Sequence, residues 1–145
     1  MKTRVLVVDD DENLRWVTET QLEDAGFAVT AAADGNAALD SLNRERPDLV
    51  LTDLKMPGMS GMDLLKRIKA VEPDIPVLMI TAFGTIQSAV EAVKNGAYDY
   101  LTKPLDQDEL LLTVRRALEH TTLVAEVHTL RQALDRKYGF ENIPG

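Results

Sequence analysis

The sequence predicts an α/β domain in which five short strands form a parallel sheet covered by helices on both faces. Three observations predict it. Short apolar runs recur at Val5–Val8, Ala28–Ala31, Leu49–Leu51, Val77–Ile80 and Tyr98–Leu101. Between them, apolar residues return every three or four positions, which is the period of a helix. The first, third and fourth runs are almost uninterrupted Val, Leu and Ile, as a strand buried on both faces requires.

The elements follow in order. After the first run, Leu14, Val17, Thr18 and Leu22 make a helical stripe, with Asp11 placed to cap it and Gly26 to end it in a left-handed turn. Ala38, Leu39 and Leu42 mark a second helix capped by Asp34, and Leu64, Leu65, Ile68 and Val71 a third capped by Ser60. Ile86, Ala89, Val90 and Val93 form the fourth stripe, stopped by Gly96, and Asp106 caps a fifth helix. Right-handed crossovers then give a doubly wound sheet. The flavodoxin-like strand order 2-1-3-4-5 is the expectation for five such units.

The fifth helical pattern runs on from Gln107 to about Lys137 without Gly or Pro, and Leu123, Val127, Leu130 and Leu134 follow a four-three-four spacing. This extended C-terminal helix is either packed on its own domain or a linker that pairs with a second copy. The expected organisation is a domain over 1–120, a helical linker over 121–138 and the start of a further domain at 139–145.

Composition excludes several classes of function. The 145 residues suffice for one domain, and the chain contains no cysteine, which removes disulfides, thiolate catalysis and cysteine-ligated zinc. The opening MKTRVLVVDDD has too short an apolar core for a signal peptide or a spanning helix, so a soluble, cytoplasmic protein without membrane contact is expected. With 24 Asp+Glu against 16 Lys+Arg, the net charge of −8 repels nucleic acid, and no direct nucleic-acid binding is expected.

Ligands of open α/β sheets sit beyond the carboxyl ends of the strands. There the sequence puts Asp9, Asp10 and Asp11 after the first strand, Asp53 after the third, Thr81 after the fourth and Lys103 after the fifth. Singly, each has an ordinary explanation as a cap, turn or surface residue. Together they are acids, a hydroxyl and an ammonium converging on one crevice, and so many carboxylates repel unless a cation joins them. All-oxygen donors suit Mg²⁺, which often bridges to a phosphate.

The segments VLVVDD, LTDLKMPGMSG, LMITAFG and YDYLTKPL resemble the signatures of response-regulator receiver domains of two-component signalling, over about residues 4–120. The resemblance implies Mg²⁺-dependent phosphoryl transfer from a histidine kinase to Asp53. It implies Asp10 as a direct metal ligand, Asp9 holding a metal-bound water, and the backbone carbonyl of Lys55 completing the set. Thr81 and Lys103 would contact the phosphoryl oxygens, a cis Lys103–Pro104 bond would aim the lysine inward, and Tyr100 would be the switch aromatic coupled to Thr81. The switched face would be the fourth helix, fifth strand and fifth helix. Asp11 is left to the helix start. Lys55 and Phe83, each two residues past a site residue, would overhang the phosphoryl group and set its lifetime.

Such a domain is a phosphoacceptor and not a turnover enzyme. A haloacid-dehalogenase-type hydrolase would want an acid where Lys55 stands, and a flavodoxin-like cofactor binder a Ser/Thr/Gly-rich loop where the three aspartates stand. A degenerate receiver would lack one of the key groups, and none is missing. GMSGMDLLKRI, YDYLTKPLDQDEL and the final FENIPG are most similar to sigma-54-dependent, nitrogen-regulator-type transcriptional activators. The implied partners are a cognate histidine kinase, downstream ATPase and DNA-binding domains of the same protein, and a second copy in a homodimer.

Overall fold

The structure, a computed structural model, describes residues 2–82 and 85–121. The order is β1 (Arg4–Val8), α1 (Glu12–Asp24), β2 (Ala28–Ala32), α2 (Gly35–Arg44), β3 (Leu49–Asp53), α3 (Gly61–Val71), β4 (Val77–Thr81), α4 (Ile86–Lys94) and β5 (Asp99–Thr102). A fifth helix, α5, occupies 107–121 of the described residues. All strand pairs are parallel, in the order β2-β1-β3-β4-β5 expected from the sequence.

The strand period of two sorts each strand onto two cores. Leu6, Val8, Val50, Val77 and Met79 face a layer with Ala38, Leu42, Leu64, Leu65, Ile68 and Ala92 from α2, α3 and α4. Val5, Val7, Leu49, Leu51, Leu78, Ile80 and Leu101 face Leu22 of α1 and Leu110, Val114 and Ala117 of α5. Leu49, Val50 and Leu51 are at most 1% exposed, so β3 is covered on both sides, as its unbroken run requires. Each such side chain contributes on the order of 1.5–3 kcal/mol.

The capping residues lie where the pattern puts them. Asp11 accepts from the N–H of Asn13 and Leu14, Asp34 from Ala37, Ser60 from Asp63 and Asp106 from Glu109. Gly26 and Gly96 have φ of 97° and 104°, the left-handed stop that a Cβ disfavours. Asp34→Ala should therefore cost about 1 kcal/mol through the orphaned N–H of α2, read as a lower urea midpoint with unchanged m.

Two helical stripes correct the reading of the sequence. In α4, Ile86, Val90 and Val93 are 86%, 47% and 55% exposed, and only Ala92 is buried. In α1, Leu14 and Val17 are exposed and only Leu22 is buried. The helical period is right in both, but much of the apolar face points to water. Strand ends also move: Asp53 and Thr81 are the last residues of β3 and β4 and not the first beyond them, and β5 starts at Asp99. The stripe of Leu123, Val127, Leu130 and Leu134 lies outside the described residues, as does the segment 139–145.

Candidate functional site

The site forms where the strand order reverses. β1 leads by α1 to β2 on one side and pairs with β3 on the other, leaving a crevice at their carboxyl ends. Asp9 follows β1 into this crevice and Asp53 ends β3. Parallel register does the rest. Asp53 lies level with Ile80, so Thr81 stands one residue beyond it on the neighbouring strand, and Thr81 in turn lies level with Thr102, beside Lys103.

Lys103 carries the geometry. Its Nζ donates to Asp9 Oδ2 at 2.9 Å and to Asp53 Oδ2 at 3.3 Å, with all three side chains largely screened from solvent. The backbone holds the lysine in place through Lys103 N–H donating to Thr81 O at 2.9 Å, and the Lys103–Pro104 peptide is cis. Carboxylate oxygens of Asp9, Asp10 and Asp53 lie within 4.8 Å of one another. Asp9 is buried, Asp53 half-buried and Asp10 exposed, so the cluster opens to solvent on the Asp10 side. Thr81 is fully buried, and Lys55 is exposed on the loop after β3. Asp11 points away from the cluster, with its carboxylate on α1. Phe83 lies outside the described residues.

Residues 5–115 match the response regulator receiver domain. The chain belongs to that family. The receiver is 46% identical over 114 residues to the DNA-binding transcriptional regulator NtrC of Klebsiella pneumoniae, covering 79% of this chain and 24% of that protein. The match thus spans about a quarter of that relative's length. Among solved structures it resembles NtrX from Brucella abortus in complex with ATP, at 39% identity and a TM-score of 0.85, covering 90% of this chain and 30% of NtrX. It also resembles a receiver domain protein of Clostridium thermocellum, at 32% identity and a TM-score of 0.80, covering 84% of this chain and 98% of the other. The nitrogen-regulator-type resemblance of the signature segments is thereby shown.

Electrostatics give the receiver's acids unequal characters. Burial pushes the Asp53 carboxyl above its ordinary range and the Asp9 charge adds to this, while Lys103 and the Lys55 backbone N–H pull the other way without prevailing. Burial also opposes the Lys103 charge, but its hydrogen bond and charge pairing with Asp9, together with Asp53, hold its pKa above the usual value. The ammonium therefore stays protonated. A carboxylate left short of charge compensation beside exposed Asp10 is a place where a hard cation is favoured. The all-oxygen donor set of Asp9, Asp10 and Asp53 fits Mg²⁺.

Three further residues of the receiver escaped the sequence reading. Arg15 of α1 donates from Nη1 to the Asp9 carbonyl at 2.8 Å and braces the strand end that carries the acids. Gly61 sits against the backbone of Asp53 and donates its N–H to Leu54 O at 2.8 Å. Ser88 of α4 meets the Tyr100 hydroxyl at 2.9 Å. Arg15 looks like any helix-surface arginine. Only Ser88 had a faint signal, as the third residue after Thr85 in a capping pattern.

Proposed function

We propose that the chain is the regulatory domain of a transcriptional activator, which accepts a phosphoryl group on Asp53 from a histidine kinase and relays that event to downstream ATPase and DNA-binding domains. The reading rests on one observation above the others: Lys103 Nζ lies between Asp9 and Asp53, at 2.9 and 3.3 Å, inside a crevice ringed by acids. Asp53 Oδ attacks phosphorus in line, the bond to the donor nitrogen breaks, and the leaving imidazole keeps that electron pair and takes a proton. Lys103 places a fixed positive charge beside the incoming phosphoryl oxygens, and the Thr81 hydroxyl offers a hydrogen bond to another. Asp9, Asp10, Asp53 and the Lys55 carbonyl would hold Mg²⁺, which when bound neutralises charge shared by the acids and the phosphoryl group. Lys55 and Phe83 would set the lifetime of the product. The chain is a stoichiometric acceptor that takes part in its own phosphorylation and dephosphorylation, not a turnover enzyme.

In this reading Tyr100 follows Thr81 once phosphate engages it, and α4, β5 and α5 form the switched face. The exposed Ile86, Val90 and Val93 support it, because an apolar stripe turned to water on a small domain marks a surface that meets a partner. A homodimer through the linker at 121–138 and a cytoplasmic location complete the proposal. Among the described residues no helix is long and apolar enough to cross a membrane.

The test is labelling with acetyl phosphate. With Mg²⁺, one phosphoryl group per chain is expected by intact-mass measurement, and EDTA should suppress it. Asp10→Asn removes one cation ligand but leaves the nucleophile. Calorimetry should show Mg²⁺ affinity down about tenfold or more, and excess Mg²⁺ should restore part of the labelling. Labelling of Asp10→Asn that needs no more Mg²⁺ than the parent would overturn the ligand assignment.

A further inference from the structure

The hydroxyl of Ser88 is asked for more hydrogen bonds than it can make. Its Oγ lies 3.1 Å from the Thr85 N–H, 3.0 Å from Thr85 Oγ1, 3.0 Å from Thr85 O and 2.9 Å from the Tyr100 hydroxyl. A serine hydroxyl donates once and accepts twice. The Thr85 N–H is a donor and always uses one lone pair. With the Ser88 proton on the Thr85 carbonyl, one lone pair is left for two hydroxyls, those of Thr85 and Tyr100. Meanwhile Thr85 Oγ1 accepts from the Ser88 N–H at 3.0 Å, so the same pair of residues forms the capping box that starts α4.

We infer that Ser88 is a positioning residue of the switch: its one remaining acceptor site is shared between Tyr100 and the α4 cap, so Tyr100 cannot leave its place without changing how α4 begins. When Tyr100 departs, the Thr85 hydroxyl takes the freed lone pair and the cap closes on itself. When Tyr100 is present, its half-buried ring is tied to the first turn of α4, the helix that bears the exposed Ile86, Val90 and Val93. A motion of one aromatic ring is in this way passed to a helix terminus through a single oxygen. The inference rests on the reading of Tyr100 as the mobile aromatic. A ligand or a substitution shifts such a two-state balance only by its differential contacts, and here the contact is one hydrogen bond.

The test uses the full 145-residue chain with its tyrosine and phenylalanine rings isotopically labelled. The Tyr100 ring resonance is followed before and after phosphorylation with acetyl phosphate and Mg²⁺. In the unphosphorylated chain, Ser88→Ala should move that resonance toward its phosphorylated position, a change of about fivefold in the ratio of the two ring positions, as one net hydrogen bond allows. Ser88→Thr keeps the hydroxyl and should restore the original position. In a Tyr100→Phe background, Ser88→Ala should leave the ring at residue 100 unmoved. A Tyr100 resonance that ignores Ser88→Ala, or a residue-100 ring that moves equally in the Phe background, overturns the shared-acceptor inference while Asp53 labelling continues. Loss of labelling in the parent chain would instead overturn the phosphoacceptor reading beneath it.

Discussion

Asp53→Asn should abolish labelling by acetyl phosphate completely, at every Mg²⁺ concentration, while the chain remains folded. An amide lacks the anionic oxygen that attacks phosphorus, and no other acid in the crevice is equivalently placed. Asp9 Oδ1 is occupied by the Asp11 N–H and Oδ2 by Lys103, and Asp10 sits at the open, hydrated edge. Signal that survives in the variant would reassign the nucleophile. The same variant should also unfold at a higher temperature than the parent in EDTA. Burial and the neighbouring Asp9 raise the Asp53 pKa on folding, so the fold disfavours its charged form. For an acid with a raised folded pKa, that cost is present in full above the folded pKa and vanishes as pH falls below the ordinary value of 3.8. The stabilisation by Asn is therefore expected at neutral pH and should fade as pH falls into the carboxylate range. Calorimetric scans across that range check it, and an advantage that grows toward low pH would contradict the sign.

Gly61→Ala should be the most damaging single methyl in the domain. A Cβ at this position would overlap the Asp53 carbonyl oxygen and come within 2.8 Å of Leu54 Cα and 2.9 Å of the Asp53 carbonyl carbon. These are backbone atoms of the strand end that carries Asp53, and they cannot step aside as a side-chain tip can. Overpacking of this kind costs about 1–3 kcal/mol or more, against at most about 1 kcal/mol of better helix propensity for alanine. A net loss of about 2 kcal/mol is expected in urea unfolding, with slower labelling of the protein that remains folded. Gly35 provides the contrast. There a Cβ would meet Met59 alone, with Sδ at 2.6 Å, Cβ at 2.9 Å and Cγ at 3.0 Å; the thioether can swing aside and the Cβ contact asks only a small shift of the loop that carries Met59. Gly35→Ala should thus cost less than Gly61→Ala and label at the parent rate. If the two substitutions behave alike, the close approach of Gly61 to β3 is not what sets the cost.

How much of this was legible without coordinates varies by element. Almost uninterrupted runs of Val, Leu and Ile are what strands covered on both faces require, and that held for β1, β3 and β4. The caps were legible because a helix N-terminus leaves N–H groups that only a short polar side chain can reach, and Asp11, Asp34, Ser60 and Asp106 have that reach. The fourth cap, Thr85, was passed over, because its partner at the third helical position is Ser88 and not the Glu or Gln of the usual pattern. The order of acids, hydroxyl and lysine at successive strand ends was equally plain, since the carboxyl ends of parallel strands all open on one side of the sheet.

Other features were decided only by the tertiary structure. The stripes of α1 and α4 have the right period, but period states which residues share a face and not whether that face meets the sheet. Packing turned Ala92 inward and left Ile86, Val90 and Val93 in water. The need for glycine at position 61 comes from a backbone that approaches from a different segment of the chain. The tie between Ser88 and Tyr100 joins residues twelve apart, across the turn between α4 and β5. By itself the sequence determined the strands, the caps of four helices and the order of the chemistry-bearing residues, because local propensity and periodicity are carried by neighbouring residues, and its signature segments carried the resemblance to the family. Which face is buried, which atoms crowd and which hydroxyls compete depend on distances between segments, and those exist only once the sheet has assembled.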